Sequence, residues 1–170
     1  FMADALIPSM ISIPKDAYVI VHPNNVSMPV LGKITPSLGA IPLPDDKKAM
    51  KNFNKCIEKR VVEKRCITIY PEAHIWPYYT KIRPYQSLSF SYPIHYHTPV
   101  FCFTNVYLKR KHSKKPKIVT YIDGPFLSDT SLSMKEQREN LRNKVYAQMV
   151  ERSKLNTIEV VKYIPKEVEK

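Results

Sequence analysis

A helical pattern that lies between the strand-like runs of residues 40–43 and 66–70 constrains the fold most strongly. Asp45 or Asp46 can cap a helix running to about Val62, whose apolar side chains recur with the 3.6-residue period of an α-helix. A strand, a helix and a second strand in succession are typical of parallel strands joined by a crossover. The apolar helix positions are Ala49, Met50, Phe53, Ile57 and Val61.

The rest of the chain continues this alternation of strands and helices. Ser133 and Glu136 form a capping-box pattern that opens a helix to about Lys154. Residues 1–13 have a helical pattern, and residues 109–117 form a basic, hairpin-like loop. These elements predict an α/β fold with a largely parallel mixed sheet flanked by helices. Further strands are expected at residues 17–21, 100–108, 118–122 and 158–164, partly helical structure between residues 84 and 97, and a buried helix face at Leu141, Val145 and Met149.

The charge balance is strongly positive, with 27 Lys and Arg against 15 Asp and Glu and a formal net charge of +12. A surplus of this size favours an anionic partner: nucleic acid, a phospholipid surface or an acidic carrier protein. Only three glycines stand against 15 prolines, which excludes a glycine-rich phosphate-binding loop. No apolar run reaches the roughly 20 residues that a bilayer span needs.

The cysteines and histidines predict neither a disulfide framework nor a metal site. The three cysteines are far apart, and Cys66 and Cys102 lie in strand-like runs where small buried side chains are expected. His95 and His97 alternate along the chain, but no third ligand is near them. This cysteine usage is typical of a reducing, cytoplasmic environment.

Glu72 is a candidate for chemistry because of its place after a strand. The run of residues 66–70 is β-branched and aromatic, and Pro71 ends it because proline cannot donate to a strand ladder. Ligands of open α/β sheets bind beyond the carboxyl ends of the strands, where Glu72 would stand. The simpler interpretation is a solvated glutamate at an ordinary strand exit.

Four short blocks follow one another along the chain: Asp4, then Gly39-Ala40-Ile41-Pro42, then Tyr70-Pro71-Glu72, then Thr98-Pro99-Val100. In this order and spacing they resemble the glycerolipid acyltransferase family, which includes the 1-acyl-glycerol-3-phosphate acyltransferases. The corresponding family blocks are His-x4-Asp, a Gly-centred block, Phe-Pro-Glu-Gly-Thr-Arg-Ser and a Pro-Val/Ile block. The resemblance covers nearly the whole chain, and its third block is the most specific.

The resemblance implies a glycerol-3-phosphate acyltransferase-like fold over residues 1–157, followed by a terminal strand and charged tail at residues 158–170. Asp4 would orient a catalytic histidine, which the family spacing puts two positions before Phe1, so we expect a domain that lacks its amino-terminal part. The arginine of the third family block is replaced here, so Arg83 or Lys81 would supply its charge. The substrate-binding residues implied are Gly39, Pro71, Glu72, Ala73, His74 and Arg83.

The implied reaction moves a fatty acyl group from acyl-CoA or acyl carrier protein to a hydroxyl of a lysophospholipid or glycerol phosphate, with no further cofactor. An anionic membrane surface would attract the basic protein. The resemblance thus implies a cytoplasmic protein peripheral to the inner face of the cell membrane, with room for a membrane anchor before Phe1.

Other interpretations stay open. His22 or His74 could replace the missing histidine, although such residues are more often structural. The aromatic residues between Trp76 and Tyr92 either pack in a core or form an apolar wall for an acyl chain or a bilayer. A nucleic-acid-binding module would use the basic loop and the basic residues of the helix at residues 46–62, although no helix-turn-helix, RNA-recognition or zinc-finger pattern is present. A relative that binds lipid without catalysis is the third alternative.

Overall fold

The computed structural model describes residues 7–23, 39–72 and 76–164. The chain forms two compact units, Phe1–Pro71 and Glu72–Lys170. The first unit contains a small parallel sheet, and the second contains an antiparallel hairpin packed on a long helix. The expected α/β class is confirmed, but the described strands form two sheets instead of one mixed sheet.

The first unit is built around a three-stranded parallel sheet. Its elements are α1 (Ile7–Ser12), β1 (Ala17–Val21), β2 (Ala40–Pro42), α2 (Lys47–Val62) and β3 (Cys66–Thr68). The strand order is β2-β1-β3, so β1 is central. Val19 of β1 pairs with Ala40 on one side and with Thr68 on the other. The carboxyl ends of the three strands therefore lie at one edge of the sheet.

The helix α2 forms where its cap and apolar period predict it. The Asp46 carboxylate accepts a hydrogen bond from the Ala49 main-chain N–H at 2.6 Å, which satisfies one of the unpaired donors at the helix start. Phe53 and Ile57 are buried on the helix that packs against β2 and β3. Met50, which was expected on the buried face, is 44% exposed.

The second unit consists of a hairpin, a long helix and a short helical turn. Its elements are a 3₁₀ turn (Leu88–Phe90), α3 (Ser91–His95), β4 (Val100–Arg110), β5 (Ser113–Phe126) and α4 (Met134–Ser153). Ser133 and Glu136 form the predicted capping box, with each side chain bonded to the other residue's main-chain N–H.

The core of the second unit lies between α4 and one face of the hairpin. Leu141 and Val145, predicted on the buried face of α4, are buried there. Burial of several large apolar side chains of this kind supplies most of the stability of a small unit. The buried cluster consists of Tyr85, Phe90, Ile94, Cys102, Leu141 and Val145.

The hairpin-like connection predicted near residues 109–117 is present, and the antiparallel pair that it joins departs from the expected largely parallel sheet. Phe103 of β4 pairs with Ile122 of β5 in an antiparallel ladder. Only Lys111 and His112 separate the two strands, whereas parallel neighbours need a crossover of a dozen or more residues. Most of the expected loop at residues 109–117 is therefore strand, since β5 already begins at Ser113.

The predicted terminal strand at residues 158–164 is wrong, because these residues are irregular. The chain just before them is bound to the edge of β4 instead. Asn156 Oδ1 accepts a hydrogen bond from the Tyr107 N–H at 2.7 Å, and Thr157 Oγ1 accepts one from the Lys109 N–H at 2.8 Å. The Thr157 N–H donates in turn to the Tyr107 carbonyl at 3.0 Å. Side chains thus satisfy main-chain groups that a strand would otherwise pair.

The two cysteines predicted to be buried have different environments. Cys102 lies in the core of the second unit, and burial raises the pKa of its thiol to about 11. Cys66 is exposed at the start of β3, so the prediction for it is wrong. The strand β3 lies at an edge of a sheet only three strands wide, which leaves its first residue in solvent.

An ion pair between Asp123 of β5 and Arg152 of α4 gives a pH-dependent contribution to stability. Arg152 Nη2 lies 2.6 Å from Oδ1 and Nε lies 2.9 Å from Oδ2, and these bonds lower the pKa of the carboxyl. Because the folded pKa is the lower one, the stabilisation is present above the unfolded pKa and is lost as the pH falls through the folded pKa.

We expect Asp123→Asn to lower the free energy of unfolding by about 1 kcal/mol at pH 7. The difference from the parent chain should shrink as the pH falls through the acid range. Urea denaturation followed by circular dichroism at a series of pH values measures it. The exposed Asp45→Asn serves as the control, and a difference that stays constant down to the lowest pH would contradict this account.

Candidate functional site

The structure describes four of the seven residues implied by the family resemblance. Asp4, Ala73 and His74 lie outside the described residues. Gly39 and Pro71 belong to the first unit, and Glu72 and Arg83 belong to the second.

Gly39 lies at the amino end of β2, where the backbone needs a glycine. Its φ is +88°, a conformation that residues with a side chain rarely adopt, and a Cβ would lie 2.7 Å from the Ala17 carbonyl oxygen. Its own carbonyl accepts a hydrogen bond from the Val19 N–H at 2.9 Å. Gly39 is therefore required for the close approach of β1 and β2.

The parallel sheet does not bring Gly39 and Pro71 to the same edge. By the strand register, Gly39 lies at the level of Ile67 in β3, whereas Pro71 comes three residues after the end of that strand. Gly39 precedes its strand, whereas Pro71 follows β3 at the carboxyl edge. His22, which directly follows β1, also leaves the sheet at the carboxyl edge and is exposed.

Glu72 and Arg83, the other two described residues, are brought together. The Arg83 N–H donates to Glu72 Oε2 at 3.1 Å, and Arg83 Nη2 donates to the Glu72 carbonyl at 2.9 Å. The side chains are also ion-paired, with Nε 3.4 Å from Oε2, and only 16% of Arg83 and 27% of Glu72 is exposed. Arg83 thus fixes both the main-chain carbonyl and the side-chain carboxylate of Glu72, and so joins the two ends of the segment from residue 72 to residue 83.

Aromatic rings cover the guanidinium of Arg83. Its carbon lies 4.8 Å from the centre of the Trp76 ring, which is within the range of a cation–π contact. Trp76 stacks on Tyr163 at 4.9 Å with an interplanar angle of 14°, and Tyr79 lies edge-on to both rings. The Tyr163 hydroxyl donates to the Pro77 carbonyl at 2.8 Å. We call Trp76, Tyr79 and Tyr163 the aromatic clamp.

The aromatic residues of this region therefore divide into two groups. Tyr85 and Phe90 are buried in the core, as the packing interpretation predicts. Burial raises the pKa of the Tyr85 hydroxyl above its usual value, and the charge of Glu72 adds to the effect, so Tyr85 stays a neutral phenol. Trp76 is 42% exposed and belongs to the clamp instead. The role of Tyr163 was missed because its partner is distant in sequence.

A shallow groove of about 350 Å³ lies in the second unit, between the segment that follows the clamp and the chain after α4. The Asn156 side-chain amide bridges its two sides by donating to the Thr80 carbonyl at 3.0 Å. Lys81 lines this groove, while Arg83 is engaged by Glu72 and Trp76. Of the two cations expected to replace the family arginine, Lys81 is the one better placed to meet an anionic ligand.

Two further features bear on cofactors and membranes. In residues 7–23, 39–72 and 76–164, no three His, Cys, Asp or Glu side chains are grouped so that they could hold a metal ion. In the same ranges, no helix has the length and apolar character to cross a bilayer.

Comparison with known proteins gives no relatives: no protein-family model, no curated protein and no solved structure matches the chain.

We expect Gly39→Ala to destabilise the first unit by about 1–3 kcal/mol, since the added Cβ meets backbone and the φ is unfavourable. Chemical denaturation monitored by circular dichroism measures the change. Lys48→Ala, on the exposed side of α2, is the matched control and should alter stability little. Equal stability of Gly39→Ala and the parent chain would show that the close approach at Ala17 is not required.

Tyr163→Leu should expose Trp76, because the stacked ring and the bond to Pro77 are lost together. Trp76 is the single tryptophan of the chain, so its fluorescence and its quenching by acrylamide report on the clamp alone. Tyr163→Phe retains the ring and should keep most of the protection of Trp76 from acrylamide. Identical quenching in Tyr163→Leu and the parent chain would rule out the clamp.

Proposed function

We propose that the protein is an O-acyltransferase that moves a fatty acyl group from an acyl thioester to a hydroxyl of a lysophospholipid or glycerol phosphate. The observation that carries the proposal is the fixed carboxylate of Glu72, which stands four residues after the end of β3 in the sequence and is held by Arg83. It belongs to the third of the four sequence blocks, whose order resembles that of the glycerolipid acyltransferases. A glycerol-3-phosphate acyltransferase-like fold is part of the same proposal.

The chemistry assigns a supporting role to Glu72. The acceptor oxygen attacks the thioester carbonyl, a carbon–oxygen bond forms, the carbon–sulfur bond breaks, and the thiol leaves with a proton. A carboxylate accepts more hydrogen bonds than those from Arg83, so Glu72 can also orient an acceptor hydroxyl. Arg83 keeps that carboxylate in place, and the exposed charge of Lys81 is suited to the acceptor phosphate.

By resemblance, the general base is a histidine two positions before Phe1, oriented by Asp4. A histidine has a suitable pKa for taking the hydroxyl proton, and a neighbouring carboxylate fixes its tautomer. We therefore expect residues 1–170 alone to bind the acceptor without turning it over. Turnover by these residues would instead assign the base to a histidine within them, and His22 and His74 would then be replaced one at a time.

Binding of the acceptor is tested by titrating residues 1–170 with lysophosphatidate and following Trp76 fluorescence. We expect a saturable change that Lys81→Gln weakens about tenfold, because one charge-assisted contact to the phosphate is lost. Lysophosphatidylcholine below its micellar concentration is the comparison ligand. Equal affinity of the parent chain and Lys81→Gln for lysophosphatidate would remove Lys81 from the site.

Catalysis is tested with the protein as its gene encodes it, supplied with an acyl thioester and lysophosphatidate. We expect Glu72→Gln to lower kcat/KM for the acceptor by about tenfold to a hundredfold, as loss of a charged hydrogen-bond partner does. The matched control is Glu63→Gln, which removes a carboxylate paired with Arg60 at the end of α2. This control should retain full activity.

Two outcomes would overturn the proposal. Absence of thioester-dependent product across several lysolipid acceptors would leave a protein that only binds lipid. Equal losses in Glu72→Gln and Glu63→Gln would show that the effect of Glu72 is a general loss of folding.

A further inference from the structure

The hairpin of β4 and β5 carries a dense positive charge at its closed end. Residues 109–117 contain six Lys and Arg and no Asp or Glu. All of these residues except Pro116 are exposed. We call residues 109–117 the hairpin tip. Such a density of cations without counter-charges in the same segment attracts a multivalent anionic surface.

One face of the same hairpin exposes several apolar side chains. Along β4, Cys102, Thr104 and Val106 are buried, and successive strand side chains point to opposite faces. Phe101 and Phe103 therefore lie on the other face, where Phe103 pairs with Ile122 of β5. We call Phe101, Phe103, Ile118 and Ile122 the open face.

The open face exposes a large share of its apolar side chains. The exposed fractions are 51% for Phe101, 47% for Ile122 and 37% for Ile118. Ile118 and Ile122 lie four residues apart on β5, roughly 13 Å along the strand, and the hairpin tip follows at the end of the same ladder. The hydrogen-bonded pair of Thr120 and Asn105 lies between them on this face, and Tyr107, opposite Ile118, is buried, so the exposed apolar side chains form two patches. Ile118 adjoins the hairpin tip, and exposed apolar side chains next to cations mark an interaction site.

We propose that the hairpin docks the protein on an anionic lipid bilayer, with the hairpin tip on the head groups and the open face at the acyl boundary. The choice of a bilayer rests on the lipid substrate of the proposed function and on the charge complementarity of the tip. A nucleic acid would neutralise the tip equally well, but its phosphates offer nothing to the open face. A bilayer interface accepts both cations and apolar side chains.

The test is co-sedimentation of the chain with phosphatidylcholine vesicles, with or without about a third of phosphatidylserine. We expect binding to the anionic vesicles only. Lys111→Gln, Lys114→Gln and Lys115→Gln together should weaken this binding by at least about tenfold. The matched control replaces Lys47, Lys48 and Lys51 of α2 by Gln, which removes the same charge from exposed positions in the other unit and should have a smaller effect.

The open face is tested separately. Ile118→Thr with Ile122→Thr keeps the β-branch that favours a strand and should weaken vesicle binding about threefold to tenfold. Circular dichroism and Trp76 fluorescence establish that each variant is folded. If Ile118→Thr with Ile122→Thr weakens vesicle binding while the triple Lys→Gln variant of the hairpin tip binds as the parent chain does, the hairpin tip does not contact the lipid head groups.

Equal binding to neutral and anionic vesicles would overturn the proposal, and so would equal losses in the tip variant and the α2 control. A third contrary result is displacement of the protein from vesicles by duplex or single-stranded nucleic acid at a lower concentration than by free anionic lipid. The last result would assign the tip to nucleic acid. Vesicle binding needs no turnover, so its failure leaves the acyltransferase proposal standing, and loss of turnover leaves the docking proposal standing.

Discussion

Packing of α4 against one face of the β4–β5 hairpin is the interaction on which the second unit depends. Leu141 and Val145 reach the core beside Cys102, and the Arg152–Asp123 pair fixes the carboxyl end of the helix on β5. One helix covers only one of the two hairpin faces, so Phe101 and Ile122 on the other face stay exposed, although Tyr107 on that face is buried beside Tyr78. This packing thus accounts for the strand residues that are buried on the helix side of the hairpin.

The carboxyl end of α4 lies beside the edge of β4, so the residues that follow the helix bond to that strand. Asn156 is held there by the Tyr107 N–H, and its amide also reaches the Thr80 carbonyl. From this point the chain passes to the aromatic clamp, where Tyr163 stacks on Trp76. A continuous set of contacts therefore links the helix end, through Trp76 and Arg83, to the carboxylate that we assign to the acceptor site.

Sequence predicted the parts of the structure that depend on nearby residues. The caps at Asp46 and Ser133 are local hydrogen bonds, and the helices begin where those residues stand. The hairpin-like connection around Lys111 was also predicted, but the sheet as a whole was expected to be largely parallel, whereas the described strands form two separate sheets. Of the candidate site, the strand before Glu72 was accessible from the pattern, although it ends at Thr68 and not just before Pro71 as predicted. The pairing of Glu72 with Arg83 and the contact of Trp76 with Tyr163 depend on tertiary packing, which no periodicity in the chain encodes.

The hydrogen bonds from the end of the chain to β4 have a consequence for self-association. Unpaired strand edges are templates for pairing with another molecule, and folded proteins cover or charge them. Asn156 and Thr157 occupy the main-chain groups of Tyr107 and Lys109 without forming a strand themselves. They terminate the ladder, because side chains cannot pass the pairing on to a further chain. A few residues of irregular chain thereby block pairing of another strand at Tyr107 and Lys109 of the β4 edge.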